Sequence, residues 1–162
     1  MRRKFGKILS EIAKKDKKIF LLVGDIGFGI FDDFRKEHPD RFLNLGICEQ
    51  SLIGFASGMA LQGLKPWVYT ITPFLIERPF EQVKLDVDQQ KANVKLVGFA
   101  DYPSLGPSHS ELDAKRIMKL FKNIKSFFPK NSDETKKVTL RCSKIKGPTF
   151  ISLKTDKMLN NW

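Results

Sequence analysis

Cysteine is scarce in this chain. It has two in 162 residues, Cys48 and Cys142, far apart and outside any C-x-x-C spacing. That excludes a disulfide scaffold and a cysteine-built zinc site, and it suits a reduced, cytoplasmic protein. Long apolar runs are also missing. The longest near the start is 19 to 23, too short for a signal peptide's apolar region or a membrane span, so a soluble protein without membrane association is expected. No RNP-like aromatic motif, zinc-finger spacing or basic region followed by heptads occurs, which argues against nucleic acid as a partner. Gly24, Gly27 and Gly29 have the wrong spacing for a G-x-G-x-x-G fingerprint, and no P-loop Gly-Lys-Ser/Thr follows them. There is no internal repeat and no low-complexity segment.

Acidic residues are few as well. Eighteen Asp and Glu face 29 Lys and Arg, for a net charge of +11, which favours anionic partners such as a phosphorylated small molecule or an acidic protein. The cations are scattered through 2 to 4, 14 to 18, 136 to 137 and 144 to 146, positions read as solvent faces of helices and loops. At this length the chain is expected to be a single domain, 1 to 162, with a core that needs no disulfide or structural metal.

Apolar spacing then sets out the elements. Residues 4 to 15 carry a helical stripe (Phe5, Ile8, Leu9, Ile12, Ala13), with Ser10 and Glu11 placed on the wet side. Residues 19 to 23 read as a strand covered on both faces, 30 to 36 as a short helix, and 41 to 45 as a second strand. A helix opens near Glu49, which is placed two residues inside it. Then come a strand at 67 to 71, a helix at 77 to 91 with Pro79 in its first turn, and a strand at 94 to 98. A Pro/Gly/Ser-rich loop spans 101 to 110, ahead of a helix at 111 to 120 and a strand at 124 to 128. A helix at 132 to 145 and a strand at 148 to 153 close the chain. Regular alternation of this kind predicts an α/β fold: one doubly wound, mostly parallel six-stranded sheet with helices on both faces and ligand groups at the carboxyl ends of its strands.

The chain's chemistry concentrates in Gly46-Ile47-Cys48-Glu49-Gln50 and the small-residue helix behind it, with Gly54, Ala56, Ser57, Gly58 and Ala60. These small residues permit close approach of another backbone or a flat ligand. Glu49 has two readings. It is a first-turn acid complementing the helix dipole, or a buried acid able to exchange a proton with a ligand nitrogen. Cys48 beside it reads as a packing residue, with no base partner to make it a nucleophile.

At Gly46-Ile47-Cys48-Glu49-Gln50 the sequence resembles the pyrimidine-binding domain of the transketolase family. The resemblance extends through Val23-Gly24-Asp25, Phe34 to Phe42, Gly63 and Pro66, Phe74 to Gln82, Val94 to Gly98, Gly106-Pro107-Ser108-His109 and Gly147-Pro148, nearly the whole chain. It implies that Glu49 meets N1′ of the aminopyrimidine of thiamine diphosphate and promotes loss of the C2 proton, while the cofactor supplies the carbanion chemistry. It also implies that Ile71 and Phe74 flank the pyrimidine. His109 and Arg78 are placed near the substrate, His109 as a second catalytic residue, and Arg2 or Arg3 as a clamp for its phosphate. Taken on their own, Ile71 and Phe74 read equally as core residues at a strand end, and Arg78 as a solvated arginine.

Neither the diphosphate-binding domain with its G-D-G motif nor the usual third domain is found in the sequence. The resemblance therefore implies the small subunit of a split enzyme. A partner subunit would hold the diphosphate and its Mg²⁺ or Ca²⁺, and the two would form an α2β2 heterotetramer. Two departures bear on substrate. Leu105 stands where relatives that handle sugar phosphates carry an acid, and Phe99-Ala100 where they carry a histidine, so contacts to sugar hydroxyls are lost. The leading expectation is two-carbon ketol transfer. The alternatives are a 2-oxo acid decarboxylase or acyloin-forming lyase, and a non-catalytic basic partner protein.

Overall fold

The structure, a computed structural model, describes residues 1–100, 106–110 and 112–154. Six strands form one sheet: β1 (Ile19–Val23), β2 (Phe42–Asn44), β3 (Lys65–Ile71), β4 (Lys95–Phe99), β5 (Lys125–Phe127) and β6 (Thr149–Leu153). Their order is β2-β1-β3-β4-β6-β5, and every pairing is parallel. α1 (Arg2–Lys15) leads into β1; parallel neighbours require a crossover, and helices supply it: α2 (Asp32–Glu37), α3 (Glu49–Leu61), α4 (Thr72–Ile76), α5 (Phe80–Gln82), α6 (Ala114–Met118) and α7 (Ser132–Lys144). The expected fold class is the one found.

The period of two along each strand divides the core into two layers. Leu22, Val68, Leu96 and Phe150 are aligned partners across four strands and point to one side, where Leu52 and Ile53 of α3, Leu75 of α4 and Met118 of α6 cover them. One residue out of phase, Leu21, Trp67, Val97 and Ile151 point to the other side, against Phe5 and Leu9 of α1, Phe34 of α2 and Cys142 of α7. Both faces are covered, so the central strands β1, β3, β4 and β6 are buried along nearly their whole length rather than alternating. β1 is flanked by β2 on one side and β3 on the other, so the crossover direction reverses there, and the carboxyl edge of the sheet opens into a crevice.

Four expectations are corrected. Ser10 is not on a wet face: it is 3% exposed and donates its hydroxyl hydrogen to Glu37, because α1 packs against α2 as well as the sheet. Glu49 is the first residue of α3, with Cys48 at the cap position, rather than two residues inside it. The helix expected over 77 to 91 starts later, at Phe80 with Pro79 at its cap position, and is α-helical only over α5 before a π-helical segment, Val83–Gln89, continues it; a separate short helix, α4, begins directly after β3 with Pro73 in its first turn. Proline has no N–H to extend α4, so the chain must restart, and Val83 N–H donates to the Pro79 carbonyl. The helix expected over 111 to 120 shortens to α6, because the Asp113 carboxylate accepts from the backbone N–H groups of Lys115 and Arg116 and sets the start there. Glu111 lies outside the described residues.

Arg41 ties this architecture at the amino end of the sheet. Its Nη1 lies 3.0, 3.1 and 3.3 Å from the carbonyls of Ala13, Asp16 and Ile19, and its Nη2 is 2.8 Å from His38 Nδ1. It thus takes up the carbonyls at the end of α1 and the start of β1, which α1 cannot satisfy itself. Arg41→Ala is expected to destabilise the fold by about 2–4 kcal/mol, since partly buried acceptors lose a charged donor. Urea unfolding measures this, and a loss below about 0.5 kcal/mol would mean that water replaces the guanidinium there.

Candidate active site

The site starts from how two loops at the carboxyl edge are held. Asn44, the last residue of β2, accepts on Oδ1 from the backbone N–H groups of Asp25 and Gly46, each at 3.0 Å, and donates from Nδ2 to Asp25 Oδ1, also at 3.0 Å. One amide therefore joins the loop after β1 to the loop after β2. Gly46 turns the chain at φ 77°, a conformation costly for other residues, and Cys48 closes the turn by donating its thiol hydrogen to the Leu45 carbonyl. The turn delivers Glu49 onto the first position of α3. Sequence reasoning assigns no role to Asn44 or Asp25. The available signal is an amide side chain at a strand end, two residues before a glycine.

A second close approach places Phe74. α4 crosses tightly over β4 because Gly98 has no side chain: a Cβ there would sit 2.6 Å from Thr72 Oγ1 and 3.2 Å from Thr72 Cα. With Thr72 seated on Gly98, the first turn of α4 carries Phe74 to the carboxyl edge, half-buried.

Four sequence-predicted residues meet there. Glu49 is 6% exposed, and both its oxygens receive Arg78 Nη1, at 3.2 and 3.3 Å. The Arg78 guanidinium carbon stands 3.2 Å from the centroid of the Phe74 ring. The edge-on His109 ring is 4.9 Å from Phe74, and His109 Nδ1 is 3.0 Å from Ser108 Oγ. Glu49, Arg78, Phe74 and His109 thus form one continuous line, from an acid through a flat cation and an aromatic face to an imidazole. Glu49 borders a surface depression lined by Ile47, Cys48, Gln50, Ser51 and Arg78.

Two predicted residues lie elsewhere. Ile71 ends β3 at 2% exposure, packed in the core layer of α1, α2 and α7, so its side chain offers no open face to a ligand. Arg2 is also at the carboxyl edge but stands apart from the Glu49 line. Its Nε donates to the Tyr69 hydroxyl at 2.8 Å, and its guanidinium lies 3.9 Å above Phe99, the residue noted where relatives carry a histidine. Leu105 lies outside the described residues. Among the described residues, no group of three or more His, Cys, Asp or Glu is placed to hold a metal, and no helix is long and apolar enough to cross a membrane.

This arrangement can receive a flat nitrogen heterocycle. The Phe74 ring, now covered by the Arg78 guanidinium, is an aromatic face suited to stacking, and the buried Glu49 carboxyl beside it can hydrogen-bond a ring nitrogen and exchange a proton with it.

The family described as "Transketolase, pyrimidine binding domain" matches residues 1–159. An apulose-4-phosphate transketolase subunit of Actinobacillus succinogenes is 42% identical over 123 residues, 74% of this chain and 40% of that protein. The protein of the same name from Phocaeicola vulgatus is 30% identical over 154 residues, 93% of this chain and 49% of that protein. Among solved structures, a split-gene transketolase described as an inactive beta4 tetramer superimposes with a TM-score of 0.86 at 31% identity, over 94% of this chain and 50% of that one. The chain spans about half the length of these relatives.

Proposed function

The chain belongs to the transketolase family as a pyrimidine-binding domain, and from that premise we propose that it is the pyrimidine half of a two-component, thiamine-diphosphate-dependent enzyme transferring a two-carbon ketol unit between carbonyl substrates. The observation that carries the proposal is the buried carboxyl of Glu49 on the first turn of a small-residue helix, facing a flat nitrogen cation that is itself stacked on Phe74. The place between Glu49 and Phe74 is taken by a planar, nitrogen-edged group, the Arg78 guanidinium, so the residues around it fit the aminopyrimidine ring. Bound there, the cofactor supplies a stabilised carbanion equivalent at its C2 carbon.

This chain's own residues do the rest. Glu49 hydrogen-bonds N1′ and moves a proton at that nitrogen, and its burial at the first turn of α3 holds the carboxyl in one orientation. Phe74 supplies the stacking face. His109, edge-on to Phe74, stands at the mouth, where it can donate to a substrate oxygen. Arg2 lies further along the same edge, and the net charge of +11 favours an anionic, phosphorylated substrate. The diphosphate and its Mg²⁺ or Ca²⁺ are assigned to a partner subunit.

Exposed apolar side chains support a reading of assembly. Ile47, Phe55 and Leu61, on or just before α3, are 71%, 49% and 61% exposed, beside the glycines of the same helix. We assign these exposed apolar residues to self-association within an α2β2 heterotetramer.

The test is calorimetry of thiamine diphosphate with magnesium against the chain alone and against the chain with its diphosphate-domain partner. The chain alone is expected to bind at least about 100-fold more weakly, since the charged half of the contacts comes from the partner. Tight magnesium-dependent binding without a partner would refute the division of labour. Light scattering of the pair gives the stoichiometry, and a chain that stays monomeric beside the partner would refute the assembly.

A further inference from the structure

We infer that Arg78 is a built-in surrogate for the aminopyrimidine: it occupies the ring's place between Phe74 and Glu49, holds both groups in position, and must swing out before the ring can enter. The inference rests on the proposed pyrimidine site and adds to it the residue that competes for that site.

The geometry makes the two occupants exclusive. A guanidinium 3.2 Å from the Phe74 centroid takes up the whole thickness of one stacking layer, leaving no space for a second flat group on that face. The same group's Nη1 engages both oxygens of Glu49, at 3.2 and 3.3 Å, so the acid is committed to the arginine rather than to a ring nitrogen. The chemical match is close. A guanidinium is planar, presents N–H to a carboxylate, and stacks on an aromatic ring, which are the three properties the site asks of an aminopyrimidine protonated at N1′. A lysine at this position would pair with the acid but could not stack.

Arg78 is also built to leave. It sits in the turn between α4 and α5, outside both helices and directly before Pro79, so a swing breaks no backbone hydrogen bond within a helix. Its side chain is 40% exposed, whereas that of Glu49 is 6% exposed. The mobile member of the pair is therefore the cation at the mouth, and the fixed member is the acid inside. While Arg78 is in place, it shields the Glu49 charge and keeps the pocket ordered. Any ring that enters must first break an ion pair and a cation–π contact. This lowers the chain's affinity for the ring alone and makes occupancy depend on the additional binding that the diphosphate side contributes.

The test uses the full chain and the free ring, 4-amino-5-hydroxymethyl-2-methylpyrimidine, so that neither diphosphate nor partner enters. Binding is followed by NMR titration in wild type, Arg78→Met, Arg78→Lys, Glu49→Gln and Phe74→Ala, each checked for a native spectrum. Arg78→Met is expected to bind the ring about tenfold more tightly than wild type, with Arg78→Lys in between, and adding Glu49→Gln should remove the gain. In wild type, the Arg78 Nε–H resonance should move to the position of a solvated arginine as the ring binds. If Arg78→Met binds no more tightly, or shows no binding at millimolar ring, while Glu49→Gln and Phe74→Ala each weaken wild-type binding, the surrogate role is overturned and the pyrimidine site stands. If neither Glu49→Gln nor Phe74→Ala changes ring binding in any background, the site itself has failed, and the surrogate role fails with it.

Discussion

Glu49→Gln is expected to slow exchange of the cofactor's C2 proton by a factor of about 10² to 10⁴ in the reconstituted two-subunit enzyme, while the cofactor remains bound. Glutamine keeps the length of the side chain and one hydrogen bond to N1′ but cannot take up or return a proton. In the full enzyme the diphosphate contacts hold the cofactor despite a weaker contact to the ring, so the loss measured there falls on the proton-transfer step. Glu49→Ala removes the hydrogen bond as well, leaves N1′ unpaired in a site where this residue is 6% exposed, and should further weaken binding by about 1–3 kcal/mol. C2–H/D exchange followed by NMR separates the two effects. Equal exchange rates in wild type and Glu49→Gln, with the fold intact, would reduce Glu49 to a helix-start acid complementing the α3 dipole.

The second large effect concerns Lys95 and pH. This lysine is 1% exposed at the start of β4, and its Nζ donates to the carbonyls of Ile145 and Gly147, at 2.8 and 2.7 Å, just beyond the carboxyl end of α7. Burial lowers its pKa from 10.5 to about 8. A neutral amine still has two N–H groups, enough for both carbonyls, so deprotonation removes the cost of the buried charge without unpairing either acceptor. Between about pH 8 and 10.5 the unfolded chain binds more protons at this site than the folded chain. The lysine's contribution to stability therefore rises through that window and is lowest below pH 8. The full span corresponds to about 3 kcal/mol. Lys95→Met lacks the titration. Wild type should thus gain about 3 kcal/mol on Lys95→Met between about pH 7.5 and 10.5 in urea unfolding. A difference that stays flat across the window would mean that the Lys95 ammonium is solvated in the folded state.

The fold is largely legible along the chain because its signals are local. Residues 19 to 23, and the apolar runs that form β3, β4 and β6, are continuous, bounded by glycine, proline or charge, and separated by helical periods, so a parallel sheet follows from the requirement for crossovers. The misreadings fall where neighbours decide. Ser10 looks solvent-facing on an isolated helix and is buried because α2 lies against that side of α1. Thr72 to Gln90 reads locally as a strand end followed by one long helix, with Pro79 tolerated in its first turn. In the folded chain, the seat that Gly98 offers Thr72 allows α4 to start earlier, and the missing N–H of Pro79 then divides the helix.

By itself, the sequence determined the family and the doubly wound sheet, and it singled out Glu49 as a candidate, because a Gly-x-x-Glu turn onto a small-residue helix is written in consecutive residues. Only the tertiary structure decided what Glu49 faces. Arg78 is 29 residues away along the chain, and His109 still further. Nothing in either local environment states that their side chains converge on Phe74, nor that Ile71, three residues before it, is turned into the core. Those outcomes depend on strand register and on the close packing of α4 over β4 at Gly98. Register and packing belong to pairs of segments, and no single segment encodes them.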